Sequence, residues 1–141
     1  MPTWVIYSLI SMIFAGLTSV VAKLGLQGIS SDLGLVVRTT VVFGLVLLNF
    51  VCLQNVREVS QLNSRIVGFL AVSGVTTTLS WIFYYKAIQI GRVSDVALID
   101  KGSIVITILL SVTLLREPVT PKLLIGGGLV LLGLVVLVWP K

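Results

Sequence analysis

An all-α integral membrane bundle of five transmembrane helices is the fold this sequence predicts, and three observations carry it. Charge is scarce: 11% of the 141 residues are Asp, Glu, Lys or Arg, against 57% hydrophobic, with a mean hydropathy of +1.14. Soluble domains are about a quarter charged, so lipid must be the solvent for much of this chain. The apolar runs are also continuous and about 20 residues long, enough for a helix to cross the hydrocarbon core. Alternating runs, as a transmembrane β-barrel needs, are missing. Finally, the joints between the runs are short and carry Gly, Pro, Ser and charge. The length accommodates one domain, residues 1–141.

The first span runs roughly from Trp4 to Ala22. Met1, Pro2 and Thr3 ahead of it supply no basic n-region, so the expectation is an uncleaved first helix rather than a signal peptide. A joint from Gly25 to Asp32 leads to the second span, Leu33 to Leu53. Gln54 to Ser64 joins it to the third, Ile66 to Tyr85, and Lys86 to Val93 to the fourth, Ser94 to Leu115. Arg116 to Lys122, with Pro118 and Pro121, precedes the fifth, Leu123 to Trp139. Trp4, Trp139 and the Tyr84-Tyr85 pair fall at span ends, where amphipathic rings favour the interface. Trp81 lies about one turn deeper.

An odd number of spans puts the termini on opposite sides. Arg57, Arg65, Arg116 and Lys122 fall on one face; Lys23, Lys86, Arg92, Lys141 and, if it reaches the interface, Arg38 fall on the other. Loop cations normally set orientation, and here they scarcely differ between the faces.

Several function classes are disfavoured. The net charge is +5, but the cations are dispersed rather than gathered into a patch, so no nucleic-acid partner is expected. Cys52 is the sole cysteine and His is absent, which argues against a disulfide framework, a metal centre and the commonest general base. Without a nucleophile–base constellation or a phosphate-binding Gly-rich loop, neither an enzyme nor an ATP-driven pump is expected, and no cofactor or catalytic residue is assigned.

The candidate binding residues are the polar groups inside the spans, which are costly there and usually face a bundle interior or a cavity. Arg38 lies about five residues into the second span and Asp100 about six into the fourth, each roughly 8–9 Å deep from the same face. Lys23, Tyr84 and Tyr85 belong to that face too. Asp100, Ser103, Thr107 and Ser111 share one helical side, with Lys101 turned about 100° away. Ser73, Thr77, Trp81 and Tyr84 form a second stripe on the third span. Such stripes either line a cavity or let helices pack closely. Asp100 is open to pairing with Arg38 or Lys101 as a structural ion pair, and Lys23 reads as a snorkelling anchor. In the fifth span Gly126 and Gly133, with Val130 between them, make a smooth stripe for helix packing or dimerisation, with a flexible hinge as the alternative reading.

Three stretches carry a family resemblance: Ala22-Lys23-Leu24-Gly25-Leu26, followed by Arg38; Tyr84-Tyr85-Lys86-Ala87-Ile88-Gln89-Ile90-Gly91, leading to Ser94-Asp95-Val96-Ala97; and Leu115-Arg116-Glu117-Pro118-Val119-Thr120, before Gly126-Gly127-Gly128. In this order they resemble the EamA domain of the drug/metabolite transporter superfamily, across essentially the whole chain. Ala97 to Lys101 also resembles its short, single-domain members. Most members resemble two such repeats fused, the second inverted, and inverted repeats commonly hold the substrate near the midplane. The resemblance therefore implies a chain that pairs with a second half, with a homodimer, antiparallel by preference, as the expectation beside a parallel dimer or a heteromer. The related small multidrug-resistance proteins carry a first-span carboxylate, which Trp4 to Ala22 lacks, so a cationic-drug antiporter of that kind is disfavoured.

The expectation is a membrane transporter working by alternating access on a small-molecule substrate. Arg38 and Lys101 outweigh Asp100, which favours an anionic or zwitterionic metabolite, with Thr77, Trp81, Tyr84, Ser103 and Thr107 completing the site. The rival is a non-transporting membrane subunit serving another half-transporter or a lipid-flipping complex. The expected location is a bilayer, multi-pass, in a bacterial or archaeal inner membrane.

Overall fold

Backbone N–H and C=O groups find no partners in hydrocarbon, so an apolar run must satisfy them internally, as a helix does. The computed structural model describes residues 2–53, 59 and 62–139. Gln54 and Arg57 of the second joint, and Lys141 in the charge count, lie outside the described residues. The described chain is helical, with no strand among the described residues. Its elements are α1 (Thr3–Gly25), α2 (Ser31–Leu53), α3 (Ser64–Ile90), α4 (Val93–Asp100), α5 (Ser103–Leu114) and α6 (Pro121–Val138). Four stretches are long and apolar enough to cross a bilayer: 3–25, 31–52, 64–90 and 93–114, the last combining α4 and α5. The fifth apolar helix is shorter, Pro121–Leu137, about 26 Å at 1.5 Å per residue.

The chain forms two units, Met1–Ile90 and Gly91–Lys141. In the first, α2 packs along α3. The turn from α1 to α2 is closed by Gly28, at φ +82°, a left-handed conformation that glycine enters without a Cβ clash. Ser30 then caps α2, its Oγ accepting from Leu33 N–H at 3.2 Å. Asn63 does the same for α3, its Oδ1 accepting from Ile66 N–H at 2.9 Å.

The buried residues of this unit lie together: Leu26, Ser31, Leu35, Tyr85 and Ile88. They come from the end of α1, the start of α2 and the end of α3, so the core occupies one end of the unit. Gly34 is part of it, since a Cβ there would overlap Leu26 Cδ2. Elsewhere the apolar side chains face outward, as lipid-facing surfaces do.

In the second unit α4 and α5 both pack on α6. Gly127 permits the approach, a Cβ there standing 3.0 Å from Ile108 Cδ1. α5 stops at Arg116, which takes φ +56°, a conformation costing a non-glycine residue about 1–2 kcal/mol. The Glu117 N–H turns back to the Ser111 carbonyl at 3.2 Å. Thr120 caps α6, accepting from Leu123 N–H at 3.2 Å, with Pro121 pre-set for its first turn.

Two expected boundaries are corrected. The third helix does not end at Tyr85 but continues to Ile90, leaving Gly91 and Arg92 as its joint to α4. Ile88 is wholly buried and the helix end is held by partners from α1, so tertiary contact outweighs the polar look of Lys86-Ala87-Ile88-Gln89. The fourth span, expected from Ser94 to Leu115, is one apolar stretch, 93–114, and inside it the α-helix is interrupted at Lys101 and Gly102. There the N–H groups of Lys101, Gly102, Ile104 and Val105 each bond three residues back, the tighter 3₁₀ pattern. Gly102 allows it: a Cβ would stand 2.9 Å from the Ile99 carbonyl and 3.1 Å from Leu134 Cδ1 of α6.

Candidate functional site

Arg38 lies two turns into α2, on the side packed against α3. Trp81 and Tyr85, four residues apart, share the face of α3 that meets it. The guanidinium carbon stands 4.0 Å from the Trp81 ring centroid and 5.8 Å from that of Tyr85. A partly desolvated cation on a ring face gains about 2 kcal/mol, which offsets part of the cost of placing Arg38 here. Its Nη1 is buried and has no hydrogen-bond partner. Buried donors are nearly always paired, which sets this one apart.

A cavity of about 420 Å³ opens beside it, lined by α1, the following turn, α2 and Tyr85. Its wall includes Phe14, Leu17, Val21 and Val37, together with Arg38. Thr18, Ala22 and Gly25 are small and stepped by four and three, which hollows the α1 side. The Thr18 hydroxyl donates to the Phe14 carbonyl at 2.8 Å, so its proton is already committed.

Below the cavity a polar knot ties the three helices. The Lys23 ammonium donates to the Ile88 carbonyl and, at 3.0 Å, to that of Gln89. It thus closes the C-terminus of α3, where a cation also meets the negative end of the helix dipole. The Gln89 amide accepts from Ser31 N–H at 3.2 Å and donates to the Ile29 carbonyl at 2.9 Å. Tyr84 donates to Ser19 Oγ of α1 at 2.7 Å.

The stripe read along α3 therefore divides. Trp81 meets Arg38, Tyr84 reaches α1, and Thr77 is exposed, its hydroxyl donating to Ser73 O at 2.8 Å. In the second unit Asp100 ends α4, Lys101 stands in the break and Ser103 begins α5. The Lys101 ammonium and Asp100 carboxylate lie 4.0 Å apart with both side chains substantially exposed in the chain. Thr107 donates to Ser103 O at 3.1 Å. Gly126 and Gly133 have nothing within 4 Å of where a Cβ would stand.

Sequence reasoning missed the anchoring role of Gln89, the contact at Ser19 and the contribution of α1 to the cavity wall. The small-residue steps Thr18, Ala22 and Gly25 were the available signal for the last.

Apolar helices of spanning length, helix ends tied by capped and clasped polar groups, and an in-span cation on ring faces define a multi-pass membrane protein. The chain belongs to the EamA-like transporter family, whose model matches residues 2–139. It is 35% identical over 115 residues, 82% of either chain, to a Sinorhizobium sp. protein described as an uncharacterized transporter in the cobO 3′ region. No solved structure matches.

Proposed function

We propose that this transporter-family protein carries a small anionic or zwitterionic metabolite across the membrane by alternating access, as a dimer of five-span halves. The observation that supports this is Arg38: a cation seated on Trp81, with Nη1 unpaired, on the wall of a cavity of solute size. Ligand pockets commonly hold about 300–1,000 Å³. The residues 1–141 act as one half, and the near balance of cations between the two loop faces favours an antiparallel pair of copies. The bacterial source of the relative favours an inner membrane. In the first unit the residues proposed to meet the solute are Arg38, Thr77, Trp81 and Tyr84; in the second, taken by itself, Asp100, Lys101, Ser103 and Thr107 are the proposed polar residues, with Asp100 as the acid available to couple protons.

The test is flux of amino acids, sugars and phosphorylated metabolites into liposomes holding the pure protein. Accumulation of an anionic or zwitterionic solute, lost in Arg38→Ala and Lys101→Ala, supports the proposal. The rival reading, a non-transporting subunit, draws on the hydroxyls of Thr77 and Thr107, which are spent on their own helices as in packing stripes. It gains if neither substitution alters flux.

A further inference from the structure

We infer that the cavity beside Arg38 takes an amphipathic monocarboxylate, with its head on the Arg38 guanidinium and its apolar ring or branched chain along α1. This rests on the reading of Arg38 as a solute-binding residue and narrows the solute class. The described lining has one cation and no Asp or Glu. A single guanidinium balances one negative charge; a phosphate dianion would keep an uncompensated charge among apolar walls. An amino-acid zwitterion fits less well, because nothing acidic on that wall receives its ammonium. Lys23 supplies no second cation to the solute, since its ammonium is engaged by the α3 carbonyls.

The wall decides the rest of the molecule. Phe14, Leu17, Val21, Leu26, Ile29 and Val37 are hydrocarbon, and the Thr18 proton is committed. A sugar would turn unpaired hydroxyls toward that surface. An apolar body fits it, and Tyr85 joins Arg38 on the lining. A cation seated over a ring spends its face and keeps its in-plane N–H edge, and a planar carboxylate matches that edge. Phe14, Leu17 and Val21 are each more than half exposed in the chain, so the cavity borders the bilayer. The acid could arrive from water or from the lipid.

The experiment is equilibrium binding to the full chain in phosphatidylcholine nanodiscs, read by Trp81 fluorescence after Trp4→Phe and Trp139→Phe. The probes are 4-phenylbutyrate for a water-borne acid, oleate for a bilayer-borne one, and the uncharged 4-phenylbutanamide. An acid should saturate the signal, and the amide should bind about tenfold more weakly, as expected for losing a charge-assisted hydrogen bond. Arg38→Gln should erase the difference between acid and amide, while Arg38→Lys keeps part of it. Val37→Phe, which fills the cavity and leaves the charge in place, should weaken the acid as well. Saturation by 4-phenylbutyrate assigns a water-borne solute; saturation by oleate alone assigns a lipid-borne one. Equal binding of acid and amide, or acid binding indifferent to both Arg38→Gln and Val37→Phe, overturns the inference. Liposome flux separates the two levels. Flux of other solutes with no acid bound overturns this inference and leaves transport standing; acid binding without flux of any solute overturns transport and leaves the site.

Discussion

The Lys23 ammonium at the end of α1 donates to the Gln89 carbonyl at the end of α3, 3.0 Å away. Because Gln89 also grips both Ile29 and Ser31 through its side-chain amide, one residue connects the α1–α2 turn to α3. Interhelical hydrogen bonds in lipid are worth about 0.6–2 kcal/mol each, so the cluster adds to the cohesion given by the packing around Ile88.

Lys23→Met should lower the thermal midpoint of the purified protein in detergent. Leaving two helix-end carbonyls without their donor costs about 1–3 kcal/mol. Lys23→Arg, which keeps the charge and the donors, should recover part of the loss. A midpoint unmoved by Lys23→Met would show that the bond contributes nothing.

Gln89→Leu keeps the size of the side chain and removes both of its turn contacts. Loss of about 1–2 kcal/mol is expected, with faster amide hydrogen exchange at Ser31, whose N–H loses its acceptor. Unchanged exchange at Ser31 would contradict the bonding seen here.

Gly34 and Gly44 lie on the same helix and should respond oppositely to alanine. At Gly34 the new Cβ would overlap Leu26 Cδ2, and overpacking of this kind costs about 1–3 kcal/mol. At Gly44 the space is open, so Gly44→Ala should be neutral or slightly stabilising through its better helix propensity. Equal midpoints for the two variants would refute close packing at Gly34.

The glycines of α6 separate fold from assembly. Gly127→Leu should destabilise the chain, since even a Cβ there comes to 3.0 Å from Ile108. Gly133→Leu has room within the chain and should leave the thermal midpoint alone while reducing dimer content on native gels. Full dimer content in Gly133→Leu would remove that glycine from the proposed interface.

The helices were legible because continuous hydrocarbon and short polar joints leave the backbone little alternative. Their ends were less so. Lys86 to Ile90 looks like a loop by composition, but as the last turn of α3 it is held by Lys23 of α1 and by Ile29 and Ser31 of the following turn and α2. The break after Asp100 is masked because Ile99 and Ile104 to Leu110 keep the region apolar, leaving Gly102 as the lone local signal. For the candidate site, the in-span position of Arg38 could be read from its neighbours. Its seat on Trp81 could not, because periodicity says which residues share a face and not which helix that face meets. Tyr84 and Tyr85 show the difference: adjacent in sequence, one reaches α1 and the other stands beside Arg38.

The gathering of the first unit's core and its polar knot at one end has a mechanical consequence. Of the three helices α1 is the one tied to its neighbours near a single tip, through Lys23 and Ser19, while α2 and α3 are packed along each other. For a helix of 23 residues, as α1 is, a tilt of about ten degrees at the knot sweeps the far tip by about 6 Å, given 1.5 Å of rise per residue. Phe14, Leu17 and Val21 of the cavity wall ride on that arm.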